Sequence, residues 1–213
     1  MANALRSCVA VSMFFILVVG CGSIAKDSPG VTVSATITPT YNGANTSSVD
    51  AFQDVCTNGT VTQAEFFTDH MATASISASL INPSNLIKQM TVYIDSYTIN
   101  YQNSLDSPGA PPIQPDTRQN TISFIVSSGT ATALASFSVE FVDLIRKYQY
   151  LNDMLTGGFT SAPAYINNYT AIYTFAGHSE NGVPFTFSAQ TDFQIGDFNN
   201  CPAGYLQTGL EPM

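Results

Sequence analysis

Two stretches and the turn between them decide the fold: Tyr169-Thr-Ala-Ile-Tyr-Thr-Phe175, then Glu180-Asn181-Gly182, then Phe185-Thr-Phe-Ser-Ala-Gln-Thr-Asp-Phe193-Gln-Ile195. Tyr169, Ala171, Tyr173 and Phe175 recur at every second position, and so do Phe185, Phe187 and Ala189, with Phe193 and Ile195 in the same phase. A period of two places such residues on one face of a strand, so the pair reads as a β-hairpin. Its register follows from burial. A two-residue turn at Asn181-Gly182 would set Tyr173 against Gln190 and mix the faces. A three-residue loop, Glu180 to Gly182, sets Phe175 opposite Phe187, Tyr173 opposite Ala189 and Tyr169 opposite Phe193. Each buried aromatic is worth a few kcal/mol, so the longer loop is expected, with Gly182 at positive φ.

The same period runs through the chain on either side. Val31, Val33, Ala35 and Ile37 alternate with Thr and Ser, and Pro39 is expected to stop that strand. Ala72, Ala74, Ile76, Ala78 and Leu80 form a second row, stopped by Asn82-Pro83, whose small inward side chains call for large partners among the 14 Phe. Met90, Val92 and Ile94 alternate, then Tyr97, Ile99 and Tyr101 in the opposite phase, so Asp95-Ser96 marks a bulge or a change of sheet. Ile122, Phe124 and Val126 resume the pattern, Ser128-Gly129 turns the chain, and Ala133 to Phe141 continues it. Leu144, Ile145, Tyr148, Leu151 and Leu155 follow a helical period that starts at Asp143 and ends at Gly157-Gly158. Asp50 to Cys56 reads as one helical turn or an edge strand, and Asn199 to Met213 as irregular. Eight or so strands with one short helix and no βαβ spacing make an all-β fold: a two-sheet antiparallel β-sandwich over residues 31–213.

At the N-terminus, Arg6 precedes an apolar run from Val9 to Val19, long enough for an export signal and too short to span a bilayer. The run ends in Val18-Val19-Gly20-Cys21, which resembles the lipobox of bacterial lipoproteins. That resemblance implies cleavage before Cys21, a diacylglyceryl group with palmitate-type acyl chains on the Cys21 sulfur, and residues 1–20 as the signal peptide. Gly22 to Gly30 has no periodicity and reads as a tether, giving residues 21–30 as the link to the domain. Gly22, where some lipoproteins carry an inner-membrane retention Asp, resembles outer-membrane sorting in Gram-negative bacteria, with the domain facing periplasm or exterior. The length, strand count and exported setting also resemble immunoglobulin-like sandwiches of cell-surface lipoproteins, although a chain without Trp lacks the Cys, Trp, Cys spacing of antibody domains.

Composition limits the function. Without the signal, five basic residues stand against 15 acidic ones, a net of −10. Nucleic acid and anionic headgroups, which need a basic face, are thereby excluded as partners. With Cys8 removed and Cys21 lipidated, Cys56 and Cys201 remain, and an oxidising compartment pairs them. No C-x-x-C-H or Cys/His zinc pattern is present.

No catalytic signature emerges. His70 and His178 are the candidate bases, His178 reading as a solvated residue beside the turn, and no Ser lies in a nucleophile motif. Glu140 with Asp143, or Asp192 with Asp197, are the carboxylate pairs a hydrolase would use. Calcium is the one ion the loops suit, through Asp192, Asp197, Asn199 and Asn200; no other cofactor is implied. The excursion Gln102 to Gln119, with Pro108, Pro111, Pro112 and Pro115, is the place for a protein or glycan partner. The expectation is a non-catalytic, lipid-anchored envelope protein with a structural or binding role. The alternatives are an acidic-residue hydrolase and an assembly subunit that exchanges the strand Val31 to Thr38.

Overall fold

The computed structural model describes residues 30–65, 67–81, 89–127, 133–157, 159 and 166–210. The signal peptide, Cys21, the tether up to residue 29, Asn82-Pro83, the Ser128-Gly129 turn and Gly158 lie outside these residues. Chain order is β1 (Val31–Tyr41), β2 (Ala44–Asn45), β3 (Ser48–Asp50), β4 (Asp54–Thr57), β5 (Thr62–Ala64), β6 (His70–Leu80), β7 (Gln89–Asn103), β8 (Asp116–Ser127), β9 (Ala133–Val142), α1 (Leu144–Thr156), β10 (Asn167–Ser179), β11 (Pro184–Gly196) and β12 (Leu206–Leu210). Two sheets, in the orders β2-β1-β6-β9 and β3-β11-β10-β7-β8, make an all-β sandwich. The third, β12-β4-β5, is small. Pairing is antiparallel throughout apart from β11 with β3, which run parallel.

The C-terminal hairpin has the expected register, with Tyr169 opposite Phe193, Tyr173 opposite Ala189 and Phe175 opposite Phe187. Ser179 N–H donates to Val183 O at 3.0 Å, which closes the loop Glu180 to Gly182, and Gly182 has φ +74°. A Cβ on Gly182 would meet nothing within 4 Å, so the cost of a side chain there lies in the backbone alone. We expect Gly182→Val to lower stability by about 1–2 kcal/mol, and Gly182→Asn by much less, in thermal denaturation.

The hairpin's aromatic row packs on the small residues of the facing sheet. Ala72, Ala74 and Ile76 are fully buried, as are Tyr173 and Phe175. Phe175 meets Phe137 of β9 edge-on at 6.3 Å, and Phe141 of β9 meets Phe193 at 4.9 Å. Buried phenols need acceptors or donors, and the backbone of β9 supplies them. Tyr173 Oη donates to Glu140 O at 2.6 Å, Tyr101 Oη donates to Phe141 O, and Glu140 N–H donates to Tyr97 Oη at 3.0 Å. The two sheets are therefore tied across the core by hydrogen bonds as well as by packing.

The phase flip at Asp95-Ser96 is a bulge. Gly177 pairs with Ile94 and Ala176 with Ser96, so Asp95 is the extra residue in a β7 that stays in one sheet for all 15 residues. Pro39 does not stop β1, which continues to Tyr41 with Pro39 opposite Ala72. The carbonyl of Pro39 accepts from Thr46 N–H at 3.1 Å on the side of β1 that faces β2, away from β6. In an antiparallel strand a residue's N–H and C=O point to the same side, so the missing N–H costs no bond to β6.

One further expectation is corrected. The tail from Asn199 is not wholly irregular, because β12 pairs with β4 through Leu206 to Thr57 and Gln207 to Cys56. Of the two readings of Asp50 to Cys56 the strand holds: these residues form the end of the edge strand β3 and the start of β4, with no helical turn. Helix α1 is present, capped by Asp143, whose carboxylate accepts from Arg146 N–H. Its buried face, however, is Lys147, Tyr150, Leu151 and Met154, while Ile145 and Leu155 are exposed. A buried lysine shifts the stripe: Lys147 Nζ donates to Thr68 O at 2.7 Å and lies 4.7 Å and 5.2 Å from the ring centroids of Phe67 and Tyr41. No helix of the described residues is long and apolar enough to cross a membrane.

Candidate functional site

Where β10 and β11 leave the hairpin, the period that sends Tyr169 and Phe193 into the core sends Asn168, Thr170, Asp192 and Gln194 outward. Pairing sets Thr170 opposite Asp192 and Asn168 opposite Gln194. The side chains bond in the same pairs: Thr170 Oγ1 donates to Asp192 Oδ1 at 2.6 Å, and Gln194 Nε2 donates to Asn168 Oδ1 at 3.1 Å. Two neighbouring segments raise a rim around them. Ser104 N–H donates to Asn168 O at 2.9 Å, and Gln194 N–H donates to Ser47 O at 2.9 Å. Together these residues line an open pocket of about 480 Å³, with Tyr169 and Phe193 completing it. Its single charge is Asp192, and its other polar side chains are amides and hydroxyls.

Ser104 begins the proline-rich excursion, which spans residues 104–115 because β7 and β8 take up the two ends of Gln102 to Gln119. All four prolines fall inside it. The excursion is anchored at several points. Asn103 Nδ2 donates to Ala110 O at 2.7 Å, Tyr169 Oη donates to Pro111 O at 2.6 Å, and Ala110 and Ile113 are buried. Arg146 donates to the carbonyls of Gln114 and Pro115 at 2.8 and 2.7 Å. Next to Ser104, at the pocket's rim, Leu105 is 96% exposed. The loop thus presents a fixed surface with one apolar side chain standing out from it.

The four calcium candidates are not brought to one point. Asp192 is in the pocket, while Asp197 accepts from Gln207 Nε2 at 2.9 Å. Asn199 Oδ1 accepts from Cys201 N–H at 3.0 Å, and Asn200 Nδ2 donates to Asp50 Oδ2 at 2.9 Å. Among the described residues, one trio of His, Cys, Asp or Glu brings ligand atoms within 4.8 Å of one another, namely Cys56, Glu65 and Cys201. Its two sulfurs are already joined, since Cys56 and Cys201 form a disulfide with Cα atoms 5.5 Å apart.

Glu140 and Asp143 do come together, but around arginine. Arg118 Nε lies 3.1 Å from Glu140, Arg118 Nη2 lies 3.4 Å from Asp143, and Arg146 Nη1 lies 2.6 Å from Asp143. Burial raises the Glu140 carboxyl, with Arg118 opposing. Asp192 and Asp197 stand apart. His178 lies on β10 rather than in the turn, with its side chain 41% exposed, its Nδ1 2.8 Å from Asp95 and its ring stacked on Tyr93 at 4.8 Å. His70 is buried with Nε2 on Thr46 O at 3.1 Å, and burial pushes its pKa down to about 4.

A second constellation was not legible in the sequence. Asp50, Asp54 and Glu65, at 1%, 1% and 3% exposure, lie beside Asp197 where the small sheet meets the sandwich. Burial is the main cause that lifts Asp50, lifts Asp54 to about 7 and lifts Glu65 to about 9, and the neighbouring carboxyls add to the last two. Lys147 nearby is pushed down to about 8 by burial, against the pull of Asp50, Asp69 and Glu65. The one sequence signal was a run of acids around buried Phe52 and Cys56 without a basic neighbour.

Comparison of the chain with protein-family models, with curated proteins and with solved structures finds no match.

Proposed function

We propose that this chain is a non-catalytic, lipid-anchored binding protein of the bacterial envelope that takes an uncharged, hydroxyl-rich ligand, a glycan, in the pocket of Asn168, Thr170, Asp192 and Gln194. The pocket carries the reading. One carboxylate among amides and hydroxyls offers alternating acceptors and donors, the pattern that neighbouring sugar hydroxyls match. Among the described residues, the cations favour the same view, because Arg118, Arg146 and Lys147 are all engaged within the fold. The carboxylate pair Glu140 and Asp143 is likewise held in ion pairs. The lipobox residues Val18 to Cys21 support attachment through Cys21 to a membrane, the outer one in a Gram-negative cell, with the pocket facing periplasm or exterior. Leu105 and the fixed proline-rich loop extend the binding face beyond the pocket.

The test is glycan screening of the soluble chain from Gly22 onward, followed by NMR titration. Shifts are expected at Asn168, Thr170, Asp192 and Gln194, and Asp192→Ala should weaken binding about tenfold or more while leaving the melting temperature within about 2 °C, the usual range for a surface change. Binding that leaves those four residues unmoved would overturn the assignment. Turnover of a glycan, lost in Asp192→Asn, would replace it with the hydrolase reading. The anchor has its own check: wild type should fractionate with membranes, and Cys21→Ala should not.

A further inference from the structure

The small sheet meets the sandwich through acids that face acids. Asp50 ends β3, Asp54 starts β4, Glu65 follows β5 and Asp197 follows β11. Asn200 bridges Glu65 and Asp50, its N–H donating to Glu65 Oε2 and its Nδ2 to Asp50 Oδ2, and Gln207 Nε2 bridges Asp54 and Asp197. Two ionised carboxylates brought to one amide in a buried seam repel each other, so one member of each pair keeps its proton. The other contacts say which partner of the first pair is ionised. Asp50 accepts from Phe52 N–H at 3.1 Å, Phe198 N–H at 3.2 Å and Asn200 Nδ2 at 2.9 Å, the setting of a carboxylate. Glu65 accepts only from Asn200 N–H, at 3.3 Å through Oε2, and its buried Oε1 receives no N–H or O–H from the described residues. Buried Oδ1 of Asp54 is in the same position, while Gln207 Nε2 donates to Asp54 Oδ2 and to Asp197 Oδ1. Glu65 and Asp54 are therefore the protonated members.

These contacts join segments far apart in the chain. Asn200 and Gln207 come from the C-terminal segment, while Asp50, Asp54 and Glu65 come from residues 50–65, and the Cys56–Cys201 bond crosses the same seam. We propose that the small sheet β12-β4-β5 and the C-terminal segment are clasped to the sandwich by two protons, one held by Glu65 against Asp50 and one held by Asp54 against Asp197, and that the clasp opens as the pH rises. Opening swings the segments apart while the disulfide keeps them tethered.

The sign follows from the surroundings. Facing the cluster from the sandwich are Lys147 of α1, His70 of β6, Tyr41 of β1 and Asp69 just before β6. The two acids are raised, to about 7 and about 9, so their contribution is complete below the ordinary carboxylate range and is lost as pH climbs through those values. His70, lowered to about 4, works the other way below pH 6.5, but it is one group against two. Lys147, lowered to about 8, restores stability only above that pH. Between about pH 5 and pH 8 the acids decide, and loss of their protons places like charges side by side in a buried seam. A cation could take the protons' place, but among the described residues no three of these carboxyls bring oxygens within 4.8 Å of one another, the spread one ion can bridge.

The test is hydrogen–deuterium exchange of the disulfide-intact protein at pH 5 and pH 9, corrected for intrinsic rates. Amides of residues 54–64 and 197–208 should lose protection at pH 9 by about tenfold or more, while β10 and β11 keep theirs, and the melting temperature should fall by about 10 °C. Glu65→Gln with Asp54→Asn supplies permanent donors and should hold the seam at pH 9. Side-chain ¹³C NMR of the wild type reads the two acids directly even if that variant fails to fold, and should show protonated Glu65 and Asp54 at pH 6. Equal protection at both pH values, or ionised Glu65 and Asp54 at pH 6, overturns the proposal. Protection at pH 9 restored by millimolar Ca²⁺ with one ion bound per chain also overturns it, in favour of a cation site.

Discussion

Gly177→Ala should destabilise the protein by about 3 kcal/mol or more, or prevent its folding, although it adds one methyl group. The reason is the bulge at Asp95, which brings β7 hard against β10. A Cβ on Gly177 would stand 2.0 Å from the carbonyl oxygen of Tyr93 and 3.1 Å from the Phe185 ring. A ring can shift by tenths of an ångström, whereas a carbonyl held between paired strands cannot move by more than an ångström without breaking the ladder. For a chain of this size the expected fall in melting temperature is about 6–12 °C. The effect is local in cause, so removing the bulge by deleting Asp95 from the Gly177→Ala variant should recover part of the loss. A Gly177→Ala variant with an unchanged melting temperature would show that β7 and β10 do not approach in this way.

Reduction of the Cys56–Cys201 bond should have an effect of similar size. With the two cysteines 145 positions apart in sequence, closing the loop restricts the unfolded chain by about 4–5 kcal/mol on the chain-entropy argument. Calorimetry with and without reductant should show a drop of about 10–15 °C. Proteolysis of the reduced protein should begin in the C-terminal segment, where β12 pairs with β4 across three residue pairs. The double variant Cys56→Ala, Cys201→Ala should behave like the reduced protein. An unchanged melting temperature in both would mean that the small sheet docks without the bond.

Local alternation made most of the sandwich readable. In the hairpin, period and turn agree, and burial chooses between two registers that differ by one residue. At Asp95 the change of phase was enough to locate an irregularity, because every outward residue had to become an inward one, while the choice of a bulge over a change of sheet came from the pairing with β10. Local rules failed where partners decide. Pro39 fits its strand because of the side its carbonyl faces, which depends on β2 and β6. The buried face of α1 includes Lys147, whose acceptor, Thr68 O, and aromatic neighbours come from before β6. The strand β12 has no alternation of its own and exists through β4 and the disulfide. The acids at the seam could not be brought together from sequence, since each faces a partner supplied by another segment, up to 153 residues away for Asp54 and Gln207. The pocket was half legible: the proline-rich excursion marked the region, but Asn168 and Gln194 acquire their role only when β10 and β11 set them side by side.

The position of the disulfide also fixes how the molecule answers to tension. Pulled from its two ends, the chain can lengthen only by what lies outside the closed loop, namely the segment up to Cys56 and the short tail after Cys201. The stretch that spans this sequence separation of 145, about 500 Å of extended chain, stays folded back behind a covalent link. Strands β6 to β11, with Asn168, Thr170, Asp192 and Gln194 of the pocket, are inside that protected length, whereas Ser47 on the pocket's rim is not. β1 is outside it, so a load arriving from the N-terminal side is met first by the β1–β6 ladder, and its rupture would expose the edge of β6 while the four residues paired across β10 and β11 stay behind the covalent link.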